Sequence, residues 1–566
     1  MSHGASWVSL DLPLIQQHFP DLLPPALSSE GGATAYRLRL PALRPGREFG
    51  WVELRLPKGF PDHARAVITL SPDAVLRIPH LDQDGVLCTE GDPGPSLGYS
   101  PEDRILLLLH AYQEQFLKLW LTGALDGDFE AEVLNYWAIK VARARSHSDP
   151  VREVWTVDQC PAHALVRKGL LLIPDRIVIA ADDQLPITNR LIQSMGKGAS
   201  QRIGLLLADI PISHTLTPDT WPRTASDLDL ILGGRLGSAE YEMFRSVSSR
   251  RGRGMHRVVL LRNSKTAFAY LLPGGPPTLM DVGKRKKTYP SLSRPLPLNV
   301  MRLDPAWTVG RDQHPEVADR QGKHVLVLGA GALGSPVIDH LAKAGVGFIT
   351  VVDADDLLPA NIGRHLLGAE SIGKRKAEAA AQRVNFGYPA TVVTPHAMTA
   401  ERWLKKYSLS GVDVVLDLTG EPDVRWHVDQ ARHEHPCPLL IGWMEPYVAA
   451  AHVCLLPAGT AWIQGTEDLL TDLEAVNWPD DVIRWEPGCS SRFQSYTAAA
   501  AAHAVALVAE NALDLIDGAG GSTTARVVSW VRGQGFLDKH WPGLALRDWA
   551  RPAAPHDGLI LSRLFP

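Results

Sequence analysis

Cysteine is scarce in this 566-residue chain: there are five, and no two stand in a C-x-x-C pair. That spacing excludes a disulfide-stapled fold and a four-cysteine zinc site, and leaves individual thiols as the chemistry to weigh. An excess of one charge is missing too, since 57 Lys and Arg oppose 62 Asp and Glu for a formal net charge of −5. Such a balance gives no electrostatic footprint for nucleic acid or an anionic membrane. The two basic runs, 250–257 and 284–287, carry no interleaved aromatics and read as solvated loops. The opening residues lack the basic-then-apolar order of an export signal. The Ala-rich stretch 496–516 contains His503, Glu510 and Asp514, as a packed helix does. A cytoplasmic chain is therefore expected. With 45% hydrophobic and 21% charged residues the composition is ordinary globular, and its length suits roughly three or four domains.

The most informative stretch runs from Val325 to Asp353. An apolar run ending at Leu328 reads as a buried strand, and Gly329, Gly331 and Gly334 follow with G-x-G-x-x-G spacing. Pro336 suits the first turn of a helix, and Asp353 ends a second apolar run about 20 residues on, where a ribose-binding acid stands. Glycines here let the backbone approach a polyphosphate at the positive end of the helix. Dehydrogenases share this pattern, so it specifies a nucleotide without naming it.

The residues after Asp353 narrow the choice. Asn361 and Arg364 stand in an N-x-x-R pair, Lys376 follows in a G-x-x-K stretch, and Asp417 ends the apolar run V-V-L-D. In this order the motifs resemble the ATP-dependent adenylating enzymes of the ubiquitin-activating family and their bacterial sulfur-carrier relatives, over about residues 323–448. The resemblance implies that Asp353 holds the ribose, that Asn361 and Arg364 face the triphosphate, that Lys376 neutralises phosphate charge and that Asp417 holds magnesium. Attack of a carboxylate on the α-phosphorus of ATP concentrates negative charge, which calls for positioned cations and an acid to hold the metal. Hydride transfer has no use for that set.

Toward the N-terminus, an apolar-periodic segment from Leu12 precedes strand-like runs near 34–39, 51–56 and 66–70, then a loop containing Cys88, then helical stretches at 101–122 and 129–145. This order resembles a ubiquitin-conjugating domain, and the run I-P-H-L-D-Q-D-G-V-L-C places its catalytic thiol at Cys88. His80 stands where that family's H-P-N signature has asparagine, and as an N–H donor it is expected to support the oxyanion. Residues 151–320 read as short buried strands among polar segments, a mixed α/β connecting domain, with the Pro-rich span 289–315 as linker. Beyond Asp417, Cys489 follows a Pro-Gly turn just ahead of the Ala-rich helix, with Arg492 nearby, a setting that favours thiolate. The resemblance gives Cys489 the activating thioester, while Cys160, Cys437 and Cys454 lie in or beside apolar runs and read as core.

The expected architecture is thus α/β multidomain: an α+β conjugating-like domain at 1–150, a connecting domain at 151–320, and a Rossmann-like adenylation domain at 321–566. That order resembles the bacterial fused conjugating-activating proteins of CBASS antiphage operons. The resemblance implies a homodimer that adenylates the carboxyl terminus of a cGAS-like nucleotidyltransferase, relays it from Cys489 to Cys88 and joins it to a target amine. A bacterial ubiquitin-like protein as the partner, a sulfur-carrier adenylyltransferase and a non-catalytic nucleotide-binding scaffold remain open as alternatives.

Overall fold

The computed structural model describes residues 10–25, 34–39, 50–173, 175–181, 186–195, 201–246, 255–275, 278–282, 285–289, 293–463, 468–479, 482, 484–485, 492–493, 496–518 and 524–566. They form two compact units, the first comprising 1–156, 160–182 and 200–301, the second 157–159, 183–199 and 302–566.

The first unit begins with helix α1 (Leu12–His18), capped by Asp11 and ended just before Pro20, and continues into an antiparallel meander. Its strands β1 (Leu22–Pro25), β2 (Thr34–Leu38), β3 (Val52–Leu56) and β4 (Val67–Leu70) pair in sequence order. Helix α2 (Pro101–Ala111), capped by Ser100, buries Ile105, Leu108 and Leu109 in the same core as Leu54, Ile68 and Leu70 of the sheet. The ion pair between Arg104 and Asp92 is fully buried, with Nε–Oδ1 2.7 Å and Nη2–Oδ2 3.0 Å. Arg104 also donates to the carbonyls of Pro61 and Ala64, and Asp92 accepts the N–H groups of Ala66 and Gly94. This satisfied network ties the segment after Cys88 to α2 and to the start of β4.

Residues 151–302 depart from the expected mixed α/β layers. Strands β5 (Glu153–Thr156), β6 (Leu165–Ile173), β7 (Ile177–Ile179), β8 (Gln201–Pro211), β9 (Arg257–Arg262), β10 (Ala267–Leu271) and β11 (Leu296–Arg302) close into a barrel in the order β10-β11-β5-β7-β6-β8-β9. The short apolar runs close on themselves because a barrel leaves no edge strand unpaired. Strand β11 and the helix Pro305–Gly310 lie within the span expected as linker; Pro305 stands at the helix start, where its missing N–H costs nothing. The expected boundary near residue 150 is crossed as well. Helix α3 (Val133–Ala144) puts Tyr136, Trp137 and Val141 into one core with barrel residues Ala208, Val259 and Phe268, and the Trp137 indole donates to the Leu298 carbonyl at 3.0 Å.

The second unit is built on an eight-stranded sheet. Strands β12 (His324–Leu328), β13 (Phe348–Val352), β14 (Val392–His396), β15 (Val414–Asp417) and β16 (Leu439–Met444) are parallel, in the order β14-β13-β12-β15-β16. Strands β17 (Ala450–Leu456), β18 (Arg526–Val531) and β19 (Leu559–Leu564) extend it antiparallel. Val325 and Val327 pack on one face with helices α4 (Gly334–Lys343), α5 (Lys376–Gly387) and α7 (Ala498–Ile516), while Leu326 and Leu328 pack on the other with α6 (Pro422–Glu434). Burial on both faces is why these strands read as unbroken apolar runs. The α7 helix is long and apolar enough to cross a membrane by length and composition, but Ala504, Leu507 and Val508 are buried in the sheet's core.

Candidate active site

Three parallel strands end together. Leu328, the last residue of β12, is in register with Val352 of β13 on one side and Asp417 of β15 on the other. The chain leaves β12 toward β13 and returns on the opposite side at β15, so a crevice opens at the carboxyl ends of β12 and β15, where such sheets bind ligands. Gly329 enters it with φ +90°, and a Cβ there would lie 3.0 Å from the Leu418 backbone. Gly334 is required by packing alone, because its Cβ would sit 2.0 Å from the Gly329 carbonyl oxygen. A Cβ on Gly331 would meet nothing within 4 Å. The turn is closed at its two ends and open at its middle, which is the space a phosphate needs ahead of the α4 N–H groups.

Asp353 follows β13 and braces that turn, accepting the Ala330 N–H at 2.7 Å on one oxygen and the Asp355 N–H at 2.8 Å on the other. Lone pairs remain on both oxygens for a ligand hydroxyl. Asn361 accepts the Leu358 N–H at 2.9 Å through Oδ1, and its carbonyl accepts the N–H groups of Arg364 and His365, each at 3.0 Å. The Arg364 guanidinium lies 5.2 Å from the centre of the Tyr496 ring, a cation–π contact that holds a planar cation in one orientation. His365 accepts the Leu367 N–H on Nδ1 at 3.1 Å, so in its neutral form the ring proton is on Nε2 and is donated to the Ala330 carbonyl at 2.6 Å. Burial holds the His365 pKa below its ordinary value, against the bond to Ala330, and the nearby Lys376 lowers it further. This neutral histidine is a second brace for the glycine turn.

Lys376 opens α5, its ammonium 2.8 Å from Asp355 Oδ2. Its side chain is 11% exposed and that of Asp355 70%, so the partner of this buried cation faces solvent and can yield to phosphate. Asp417 is 1% exposed. Its Oδ1 accepts both the N–H and the hydroxyl of Thr419, at 3.0 and 2.6 Å, whereas Oδ2 is buried and among the described residues has no hydrogen-bond partner. Burial pushes this carboxyl up, against the Thr419 bonds and the charge of Arg425. An unsatisfied buried carboxylate oxygen is costly, and a hard divalent cation supplies what it lacks. Magnesium fits this donor. Among the described residues no group of three or more His, Cys, Asp or Glu is clustered to hold a metal, so the remaining ligands would be phosphate and water.

One sheet edge thus gathers Gly329, Gly331, Gly334, Asp353, Asn361, Arg364, Lys376 and Asp417. Sequence reasoning missed His365, Tyr496, Asp355 and Thr419; of these only His365, adjacent to the N-x-x-R pair, carried a signal. Cys489 lies outside the described residues. Cys437 and Cys454 are buried and Cys160 is half-buried.

Residues 314–526 match the ThiF family. That match lies within the second unit. The ATP-dependent ubiquitin transferase-like protein Cap2 of Pseudomonas aeruginosa is 30% identical over 233 residues, 39% of this chain and 41% of that protein. The adenylyltransferase and sulfurtransferase UBA4 of Yarrowia lipolytica is 38% identical over 111 residues, 20% of this chain and 28% of its own length. The SAMP-activating enzyme E1 of Haloferax volcanii is 31% identical over 139 residues, 24% of this chain and 51% of its own. The chain therefore spans about half the length of these relatives or less. The described crevice, from Leu328 to Thr419, lies wholly inside the ThiF-matched residues.

In the first unit the Cys88 thiol is exposed. Asp82 shapes its loop by accepting the N–H groups of Asp84 and Val86 on Oδ1, at 2.9 and 2.8 Å, and Gly85 takes φ +81° to close the turn. The Cys88 N–H donates to the His80 carbonyl at 2.8 Å. His80 has φ +60°, and its own N–H donates to the Tyr136 hydroxyl at 2.9 Å. Its Nε2 lies 2.7 Å from Asp128 Oδ2, so that ring nitrogen is committed to a carboxylate and is not free to meet an oxyanion. Burial pushes the Cys88 thiol up, and Asp82 and Glu132 push it further, so the free thiol resists ionisation.

Proposed function

We propose that this protein is an ATP-dependent adenylyltransferase that activates the carboxyl terminus of a protein partner and passes it, through thioesters on Cys489 and Cys88, to a target amine. The observation that carries the first step is the unpartnered Oδ2 of buried Asp417, in register with the strand that leads into the open Gly331 turn. A dehydrogenase would have no use for a buried metal-seeking acid at that position.

In this reading the Gly331 turn and the α4 N–H groups seat the phosphates, and Asp353 accepts from the ribose. Arg364, steadied by Tyr496, and Lys376, released from Asp355, balance the charge that grows as a carboxylate attacks the α-phosphorus. Asp417 would hold magnesium, whose charge would add to this neutralisation. Thiol attack on the acyl-adenylate then splits amide synthesis into easier transfers. Helix, meander, exposed-cysteine loop and helices follow one another in the first unit as in a ubiquitin-conjugating domain, which supports Cys88 as the last acyl carrier. The order of a conjugating-like region followed by an activating-like region supports a cytoplasmic homodimer acting on a cGAS-like nucleotidyltransferase in antiphage defence. A ubiquitin-like partner is the second reading, favoured by the SAMP-activating relative.

The test is intact-mass and non-reducing gel analysis of the full chain with ATP, magnesium and operon-encoded candidate partners, with Cys88→Ala and Cys489→Ala beside wild type. The relay predicts a thiol-sensitive adduct on each cysteine, each lost in its own variant. ATP binding without any adduct would leave a nucleotide-binding scaffold.

A further inference from the structure

We propose that His80 and Asp128 form a base dyad that removes the proton from the amine attacking a Cys88 thioester. The inference rests on Cys88 being the final acyl carrier in the function proposed above. It replaces the oxyanion role that the sequence position of His80 suggests.

The argument is geometric. His80 is held in a left-handed backbone conformation, uncommon for a residue with a Cβ, by the bond from its N–H to the Tyr136 hydroxyl. Its carbonyl accepts the Cys88 N–H, which fixes the histidine beside the nucleophile. An ionised carboxylate only accepts hydrogen bonds, so the 2.7 Å contact to Asp128 Oδ2 places the proton of the neutral ring on Nε2. Nδ1 then presents a lone pair, and among the described residues it has no hydrogen-bond partner. A ring in this tautomer has no proton at Nδ1 to give an oxyanion, but it can accept one. The two side chains are 28% and 30% exposed, open enough for a substrate amine to reach. Asp128 orients the ring and stabilises the imidazolium that forms, the division of labour of a nucleophile–histidine–carboxylate triad turned toward an incoming amine.

The transfer balances. A neutral amine forms the new C–N bond as the C–S bond breaks, the electron pair leaving on the Cys88 sulfur. The amine gives one proton to Nδ1, and the imidazolium returns it to the sulfur, leaving thiol and neutral ring. The groups around His80 are Asp128 from the short helix Asp128–Ala131, Glu132 and Tyr136 at and within α3, and Asp82 and Cys88 from the loop. Arg143, further along α3, donates to the Gln83 carbonyl at 3.3 Å and is the cation held against this loop.

The test loads Cys88 chemically. Full-length protein carrying Cys489→Ala is acylated with acetylglycylglycine thiobenzyl ester, the Cys88 adduct is confirmed by peptide mass mapping, and its discharge to free lysine is followed from about pH 6 to about pH 9. His80→Asn, which tolerates the left-handed backbone, and Asp128→Asn are made in the same background. We expect both to retain their melting temperature and to discharge lysine about 10²-fold more slowly than wild type throughout this range, beneath the rise with pH that the growing fraction of neutral lysine gives every variant. Discharge by hydroxylamine, a nucleophile that needs no base, should be unchanged. Slowing of hydroxylamine as much as lysine would overturn the base role in favour of an oxyanion or packing role, and unchanged lysine discharge would overturn any role. Because the acyl group is loaded without ATP, these outcomes are independent of whether adenylation charges Cys88, which the adduct assay above decides.

Discussion

The crevice at Asp417 and the loop at Cys88 both depend on carboxylates, and they use them in opposite ways. At Asp417 a carboxylate is buried with one oxygen unsatisfied, so the protein alone is the less stable partner and a cation completes it. At Cys88 burial of the thiol, and after it the charges of Asp82 and Glu132, push the sulfur toward the protonated form, so the free loop is quiet. The first arrangement waits for a ligand. The second suits a sulfur that must be a good acceptor of a proton when an acyl group leaves it. The two regions also differ in span. Asp353 accepts from Ala330 across 23 residues within one βαβ unit, whereas the Cys88 loop depends on Asp128 and Tyr136, 48 and 56 residues beyond His80.

That difference can be broken by substitution. The largest effect is expected in the ThiF-type domain: Lys376→Ala and Asp417→Ala should each lower partner-dependent ATP–pyrophosphate exchange by about 10²- to 10³-fold, as loss of a group that stabilises developing charge does. Melting temperature should hold for Lys376→Ala, whose partner is solvated. In the first unit, Asp92→Asn should cost about 3–5 kcal/mol in urea unfolding, because Arg104 would be left buried with its charge uncompensated. Burial alone would raise the Asp92 carboxyl, but the Arg104 bond and the Gly94 and Ala66 N–H groups hold it below its ordinary value. The folded pKa thus lies beneath the unfolded one. The stabilisation is complete above the ordinary aspartate range and fades as pH falls through the lowered value, so wild type should lose stability in acid more steeply than Asp92→Asn.

Two glycines sharpen the contrast between folding and binding. Gly334→Ala drives a methyl into the Gly329 carbonyl and should lower the melting temperature together with ATP affinity. Gly331→Ala meets nothing and should melt like wild type while binding ATP at least tenfold more weakly, measured by calorimetry. A Gly331→Ala variant that binds normally would remove the phosphate from that space. The smallest effect is expected for Tyr496→Ala, where losing a cation–π contact of about 0.5–1 kcal/mol should raise the KM for ATP a few-fold, and Tyr496→Phe should restore it.

The same difference in span explains what the sequence made legible. The glycine turn, Asp353, Lys376 and Asp417 occur in a fixed order, three of them at the carboxyl ends of parallel strands and Lys376 at a helix start, so their order along the chain is enough to group them. His365 stands beside that order and betrays itself only through its bond to Ala330. Tyr496 lies more than a hundred residues from Arg364, and no periodicity links them. The barrel was hidden for a related reason: its strands read as separate apolar-rich runs, and closure is a property of their pairing that no single run encodes. Trp137 reads as a residue of an amphipathic helix, but which core it enters depends on the Leu298 carbonyl far downstream. For His80 the residue type pointed to a donor, and the position of Asp128, 48 residues on, is what supports the acceptor role proposed above.

The most direct test of the central claim is calorimetric titration of wild type and Asp417→Asn with ATP, with and without magnesium, and with NAD as competitor. The account predicts magnesium-dependent ATP binding that NAD does not displace and that weakens at least tenfold in the variant, with its magnesium dependence gone. Preferential NAD binding, or magnesium-dependent ATP binding undiminished in Asp417→Asn, would contradict it.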